Sequence, residues 1–354
     1  MQNLHNILNN LKKQDQQNYG IAVFDIDLKV TKKGIMLFGE VLTENQKSQI
    51  LKLAKNKKIK IAFDKIKILS DSSKRHELGW AIVKDKMIDL KLRFVSNKIL
   101  NKKILKKIRC SQAFKSEILR VLYKNEDQLL VQQNDLTLGW VDRGKIVIKK
   151  KSLYKEWKKG NFAVKGKVIK ILKINCHSEF ISESIVDFKK NNTTRSRKKI
   201  SEKIKYLIIK EAEKYLGTKY LLGGKTKKGI DCSGLVQVAY KNSLDIILPK
   251  HSWDQKEMGK KVNLKNVISG DLIFLIKKEN SHKHVGIVEV VLENNVKRPH
   301  INTSPALLKR GIGTMEPAAV NLIHASLEKK KVIRQSLEKV FENYDFVEAG
   351  RIVE

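Results

Sequence analysis

The most informative stretch of the chain reads Gly229-Ile-Asp-Cys-Ser-Gly-Leu-Val-Gln237. Apolar side chains recur at helical spacing through and beyond it: Leu235, Val236, Ala239 and Tyr240. We therefore expect a helix that begins at Asp231 or Cys232, with Asp231 as its cap. The first-turn amides and the helix dipole favour negative charge there, which predicts a lowered pKa for the Cys232 thiol. By itself, a lone cysteine is more often a small buried hydrophobe.

Four further motifs follow in order: Leu248-Pro-Lys-His-Ser-Trp-Asp-Gln255, Ser269-Gly-Asp-Leu-Ile-Phe274, His284-Val-Gly-Ile-Val288 and Ile323-His-Ala-Ser326. With the Asp-Cys-Ser-Gly helix start, this set resembles the NlpC family of papain-like bacterial cell-wall cysteine peptidases. The resemblance covers residues 201–354. It implies an α+β fold, in which amino-terminal helices precede an antiparallel sheet.

In that family the cysteine attacks the carbonyl, a strand histidine is its base, and a further polar residue orients that histidine. The resemblance assigns these roles to Cys232, His284 and His324. A nucleophilic thiol needs an imidazole within reach, and the imidazole needs a partner that fixes its tautomer. Two neighbouring antiparallel strands could bring both rings to one edge of the sheet. His282 and His300 are nearer to His284 in sequence and are the alternatives for the third position.

The resemblance also implies substrate-binding residues. Tyr220 would help the Cys232 amide to bind the oxyanion, with simple packing as the alternative role. In members that cut after γ-D-glutamate, the positions of Asp231, Ser233 and Ser252 help to hold a free L-alanine amine.

This chain departs from those members at two positions. His251 stands where they commonly carry Asp, and Leu222 stands where they carry an aromatic residue. Recognition of the amine, and therefore the identity of the substrate, is open.

Two smaller domains are expected upstream. Residues 1–72 show a strand–strand–helix–strand pattern after a polar lead-in. The strands are expected at 21–28, 34–41 and 58–63, and the helix is capped by Thr43. This part of the chain weakly resembles a BON-type α/β unit. Residues 79–150 contain short strands, at 117–122, 128–132 and 139–141 among them, separated by polar turns, which favour a small barrel. The Gly-Trp-Val ending of this barrel resembles bacterial SH3-like domains. A structural β module without a ligand is the alternative.

Two segments lack sustained periodicity and are expected to be insertions on the surface. One is part of a linker at 151–200, from about residue 174, and the other is a loop at about 294–319 that holds Pro299, Pro305 and Pro317. The adjacent Cys176 and His177 have no second pair at metal-ligand spacing. We expect neither a metal nor another cofactor.

Charge is the outlying property of these 354 residues. There are 73 Lys and Arg residues against 37 Asp and Glu, which gives a formal net charge of +36, and only 11 of the basic residues are Arg. A Lys-rich excess without Arg–aromatic interleaving does not favour specific nucleic-acid binding. No apolar run is long enough for a membrane helix. Three cysteines without framework spacing and no visible signal peptide favour a cytoplasmic protein, with export by an unrecognised route as the alternative.

The sequence thus predicts a cysteine peptidase that hydrolyses peptidoglycan-derived peptides or muropeptides at the γ-D-glutamyl–diamino acid bond. One alternative is a cysteine amidase or acyltransferase of the same fold with another substrate. Another is a catalytically decayed, basic protein that binds wall polymer or nucleic acid. The sequence does not indicate an oligomeric state.

Overall fold

The computed structural model describes residues 2–19, 24–41, 44–68, 78–93, 100–125, 127–169, 194–291 and 320–353. The chain divides into two compact units, residues 1–158 and 159–354. None of the described helices is long and apolar enough to cross a membrane.

The first unit begins with a three-stranded sheet and two helices. These elements are α1 (Gln2–Tyr19), β1 (Phe24–Thr31), β2 (Gly34–Val41), α2 (Glu44–Asn56) and β3 (Ile61–Ile68). β1 and β2 form an antiparallel hairpin, and α2 connects β2 to the parallel strand β3. The predicted strand–strand–helix–strand order is present, although the last strand starts three residues later than expected. The expected polar lead-in is helix α1, and Thr43 lies outside the described residues.

The rest of the first unit is a seven-stranded sheet with two short helices. Its elements are β4 (Gly79–Val83), β5 (Met87–Lys91), α3 (Lys102–Ile108), β6 (Arg109–Phe114), β7 (Ile118–Asn125), β8 (Gln128–Gln132), β9 (Leu138–Asp142), β10 (Ile146–Lys149) and α4 (Tyr154–Trp157). The strand order is β10-β4-β7-β8-β9-β5-β6. The three strands expected after residue 116 are β7, β8 and β9. Among the described residues no pairing joins β10 to β6, so the SH3-like barrel stays a prediction.

The second unit contains these elements: β11 (Asn161–Phe162), α5 (Thr194–Glu213), β12 (Lys225–Thr226), β13 (Gly229–Ile230), α6 (Cys232–Leu244), β14 (Ile246–Ile247), α7 (Ser252–Lys256), β15 (Lys260–Val262), β16 (Leu272–Lys277), β17 (Lys283–Val290), β18 (Val320–Ser326), β19 (Lys331–Ser336), α8 (Leu337–Asn343) and β20 (Tyr344–Arg351). Six of its strands form an antiparallel sheet in the order β15-β20-β16-β17-β18-β19. Helix α5 begins within the segment expected to be irregular. Residues 170–193, which include most of that segment, lie outside the described residues, as does the expected loop at 294–319.

Strand β16 separates two apolar cores, because successive side chains of a strand point to opposite faces. Leu272 and Phe274 join a core that contains one side of α6, whereas Ile273 and Leu275 join a core that contains α8. The continuous apolar run of β16 is therefore that of a strand covered on both faces. This packing fixes the amino-terminal end of α6 against the sheet.

Candidate active site

Cys232 is the first residue of α6, and Asp231 is its cap. The Asp231 carboxylate accepts hydrogen bonds from the amides of Gly234 at 2.6 Å and Gly223 at 2.7 Å. The first bond satisfies an orphan donor of the first turn, and the second ties the preceding loop to the helix. Asp231 therefore fixes the position of the cysteine by holding both sides of the turn.

Close packing of the backbone explains two glycines around this turn. A Cβ at Gly234 would lie 2.4 Å from the Gly224 carbonyl oxygen, and one at Gly224 would lie 2.4 Å from that of Gly229. Both distances are shorter than real Cβ contacts allow. Gly234 thus lets the loop approach the helix, and this contact is a sufficient reason for the glycine.

The Cys232 thiol is almost enclosed, with 6% of the residue exposed. Burial and then the Asp231 carboxylate raise the pKa of Cys232 to about 12, although the Lys250 ammonium and the Val285 and Ser233 amides favour the thiolate. The expected lowering of the thiol pKa is therefore wrong, because desolvation outweighs the helix start. The bond from the Val285 amide places the sulfur beside the residue that follows His284.

His284 and His324 lie side by side, as the alternation of their strands suggested. His284 is on β17, His324 is on the neighbouring β18, and His284 Nε2 lies 2.8 Å from His324 Nδ1. Both rings are buried. Burial and the neighbouring imidazoles lower the pKa of His284 well below its usual value, and burial lowers the pKa of His324 to about 4. Both rings are therefore neutral at pH 7.

Gln335 on β19 sets the tautomers of this pair, and it was missed by the sequence analysis. Its Oε1 lies 3.3 Å from His324 Nε2, and a carbonyl oxygen only accepts, so His324 carries its proton on Nε2. The neutral His324 ring then accepts at Nδ1 from His284 Nε2–H. His284 consequently keeps an unprotonated Nδ1, the atom that a general base needs. No sequence motif marks Gln335, which reaches the site through strand pairing.

Tyr344, at the start of β20, was also missed. Its ring stacks on that of His284, with centroids 5.0 Å apart and an angle of 29° between the planes. The residue is 3% exposed, and its hydroxyl has no hydrogen-bond partner among the described residues. Burial raises the pKa of Tyr344 to about 12, so at neutral pH an uncharged phenol packs against the His284 imidazole.

A buried lysine occupies the space between the two residues that flank Cys232. Lys250 Nζ lies 2.8 Å from Asp231 Oδ2 and 3.0 Å from Ser233 Oγ. This ion pair and two amide donors keep the pKa of Asp231 below its usual value, even though burial is the largest single influence and acts to raise it. Lys250 was quoted within a motif but was not selected as a functional residue.

The remaining expected residues lie around the same turn. Tyr220 is half-buried, its backbone pairs with Ile230, and burial and then the nearby Cys232 and Asp231 raise the pKa of its hydroxyl. Ser252 is buried at the start of α7, which Gln255 ties to the Ser233 carbonyl by a hydrogen bond of 3.1 Å. His282 lies just before β17 and His300 outside the described residues, so His324 is the described histidine that contacts His284.

The site thus consists of a cysteine at a helix start and a hydrogen-bonded chain of two histidines and a glutamine, in an α+β domain. Comparison with known proteins agrees with this class. Residues 217–351 match the model of the NlpC/P60 family. The carboxyl-terminal part of the chain is therefore an NlpC/P60 domain.

Three curated relatives illustrate the similarity. A murein DD-endopeptidase/LD-carboxypeptidase of Escherichia coli is 42% identical over 24% of this chain and 44% of its own length. A probable endopeptidase NlpC of the same species is 29% identical over 40% of this chain and 74% of its own. A gamma-DL-glutamyl hydrolase of Bacillus subtilis is 40% identical over 23% of this chain and 20% of its own. The chain thus spans less than half the length of the first of these relatives.

Proposed function

We propose that this protein is a cysteine peptidase that hydrolyses peptidoglycan-derived peptides. In this proposal Cys232 is the nucleophile, His284 is the general base and His324 orients His284. The observation that carries the proposal is the hydrogen-bonded chain from Gln335 through His324 to His284, together with the Val285 amide, which follows His284 in sequence and donates to the Cys232 sulfur. The polarity of the hydrogen-bonded chain leaves a lone pair on His284 Nδ1 for the thiol proton.

The mechanism starts from a neutral thiol and a neutral imidazole. As the sulfur attacks the scissile carbonyl, His284 takes the thiol proton, and the resulting imidazolium is stabilised through Nε2 by His324. The Cys232 amide, at the start of α6, and the Tyr220 hydroxyl are the proposed donors to the oxyanion. His284 then protonates the leaving amine, a thioester remains on Cys232, and water hydrolyses it with His284 again as base.

For the cleaved bond we propose the γ-D-glutamyl–diamino acid linkage. The support for this is the resemblance of the Asp-Cys-Ser-Gly turn, together with relatives named gamma-DL-glutamyl hydrolase and DL-endopeptidase. The basic composition also suits a substrate rich in carboxylates, within the limits of salt screening.

The test is mass spectrometry of the products from a defined muropeptide whose stem is still attached to its sugar. The protein should split the stem between D-glutamate and the diamino acid, and Cys232→Ala should abolish the cleavage. Cys110→Ser is the matched control, because the Cys110 thiol donates to the Leu90 carbonyl in the other unit and a hydroxyl can do the same. Cleavage that survives Cys232→Ala would refute the mechanism.

A further inference from the structure

Tyr344 places an unpaired hydroxyl group beside the proposed catalytic residues. The residue is 3% exposed, and no group among the described residues forms a hydrogen bond with its Oη. A buried tyrosine hydroxyl usually has a partner, because a polar group that is removed from water and left unpaired destabilises the folded protein. Such a group calls for an explanation, and the mechanism above assigns this hydroxyl no role.

The surroundings of Tyr344 place it at the reacting atoms. Its ring stacks on the His284 ring, with an angle of 29° between the planes. Burial is the largest cause of the raised pKa of Tyr344, and the nearby Cys232 sulfur contributes to it. The raised pKa of Tyr220 is likewise due first to burial, with contributions from Cys232 and Tyr344. The Tyr344 hydroxyl therefore shares one electrostatic neighbourhood with the proposed nucleophile, base and oxyanion donor.

The stacking on His284 indicates which part of a substrate borders Tyr344. The imidazole that takes the thiol proton must afterwards give it to the leaving amine, so the leaving residue lies against His284. The oxyanion turns instead to its proposed donors, which are the Cys232 amide and the Tyr220 hydroxyl. A side chain that packs on His284 is therefore on the side of the leaving residue rather than that of the acyl residue.

The hydroxyl can act there as a hydrogen-bond donor. With a pKa of about 12, Tyr344 keeps its proton at neutral pH. Lys277, which faces Tyr344 across the pairing of β16 and β20, already contacts Glu279 at 2.9 Å and Glu328 at 3.5 Å. The residue that leaves carries a carbonyl or carboxylate oxygen beside the α-carbon that bears its amine. Such an oxygen is an acceptor that suits this donor.

We propose that the Tyr344 hydroxyl binds the leaving residue of the substrate, by donating a hydrogen bond to the carbonyl or carboxylate oxygen next to the released amine. This inference rests on the proposed function and deepens it, because it assigns a contact on the leaving side of the cleaved bond. The hydroxyl is unpaired in the free enzyme and gains its partner when the substrate binds.

The test compares two substrates with the same acyl part: L-Ala-γ-D-Glu-L-Lys and the γ-(2-naphthylamide) of L-Ala-D-Glu. The naphthylamide releases an aromatic amine that has no carbonyl group. Tyr344→Phe should lower the ratio of kcat/KM for the peptide to kcat/KM for the naphthylamide by about tenfold. Tyr215→Phe is the matched control and should keep the ratio, because its hydroxyl contacts Asn242 near the other end of α6. An unchanged ratio in Tyr344→Phe overturns the inference.

Failure of the proposed function is recognised separately, by both substrates remaining intact with the wild type. Whenever either substrate remains intact, calorimetric titration with L-Ala-γ-D-Glu-L-Lys decides the matter. The titrated proteins are Cys232→Ala and the double variant Cys232→Ala/Tyr344→Phe. The dissociation constant should be about tenfold higher for the double variant. Equal dissociation constants, or no binding to either protein, overturn the inference.

Discussion

The amide oxygen of Gln335 lies 3.3 Å from His324 Nε2, on the side of that ring remote from His284. This contact sets the direction of hydrogen-bond donation along the two histidines, because a neutral imidazole that donates at one nitrogen accepts at the other. The unprotonated ring nitrogen that can act as a base is therefore on His284. Strand β19, which the sequence motifs do not reach, thus orients the catalytic pair that we propose.

Replacing Gln335 by Met should remove the acceptor that favours the His324 tautomer protonated on Nε2, while the volume of the side chain is kept. We expect kcat to fall by about ten- to a hundredfold, with KM unchanged, because the wrong tautomer of His324 becomes accessible. Asn321→Ala is the control, since that amide lies on β18 and contacts Glu289 instead. Steady-state kinetics on the muropeptide check this, and a Gln335→Met enzyme with wild-type kcat would show that the tautomer is fixed in another way.

The raised thiol pKa predicts how Cys232 reacts with iodoacetamide. With a thiol pKa of about 12 and a His284 pKa well below its usual value, the resting pair is uncharged at neutral pH. The alkylation rate should therefore rise steadily from pH 7 to 10, since only thiolate reacts. A background without Cys110 and Cys176, both changed to Ser, makes Cys232 the only reporter. A plateau already reached near pH 6 would instead show a thiolate–imidazolium pair.

Much of the site could be predicted from the sequence because its elements are locally encoded. Each of its sequence signals lies within one helix or one strand: the cap at Asp231 and the helix after it, and the alternation around His284 and around His324. Lys250, Gln335 and Tyr344 could not be selected in this way, because they reach the turn by tertiary packing. The sign of the thiol pKa shift was wrong for the same reason: burial is a property of the whole domain.

The upstream fold shows one signal that the sequence analysis overlooked. Leu4, Leu8 and Leu11 recur at helical spacing, and in the structure they pack against the three-stranded sheet. The segment is polar in overall composition, and for this reason the sequence analysis described it as a polar lead-in rather than as a helix. In contrast, whether the sheet at 79–150 closes into the predicted barrel depends on how two distant strands meet, and no local pattern encodes that.

The same substitution at two buried tyrosines should have opposite effects on stability. Tyr344→Phe keeps the ring against His284 and removes a buried hydroxyl that has no hydrogen-bond partner in the part of the chain that the structure describes. It should therefore raise the free energy of unfolding by about 1 kcal/mol. Tyr240→Phe is the matched control, because the Tyr240 hydroxyl donates to the Gly270 carbonyl and its loss should cost about 1 kcal/mol. Urea unfolding measures both. Destabilisation by Tyr344→Phe would reveal a partner for its hydroxyl.

His324 should make the stability of the protein depend on pH between about 6.5 and 4. Its pKa is about 4 in the folded protein against an ordinary value of 6.5 for histidine, so between these values the unfolded chain binds more protons. Stability therefore rises with pH through this range, is fully present above 6.5, and decreases as the pH falls, by about 3 kcal/mol for this shift. In His324→Asn the decrease between pH 6.5 and 4 should be smaller, because the titration of His324 is lost and its lowering effect on the pKa of His284 is removed as well. Urea unfolding at a series of pH values measures both slopes, and carboxylates common to the two proteins cancel in the difference. Equal slopes would mean that His324 is protonated as readily in the folded protein as in the unfolded chain.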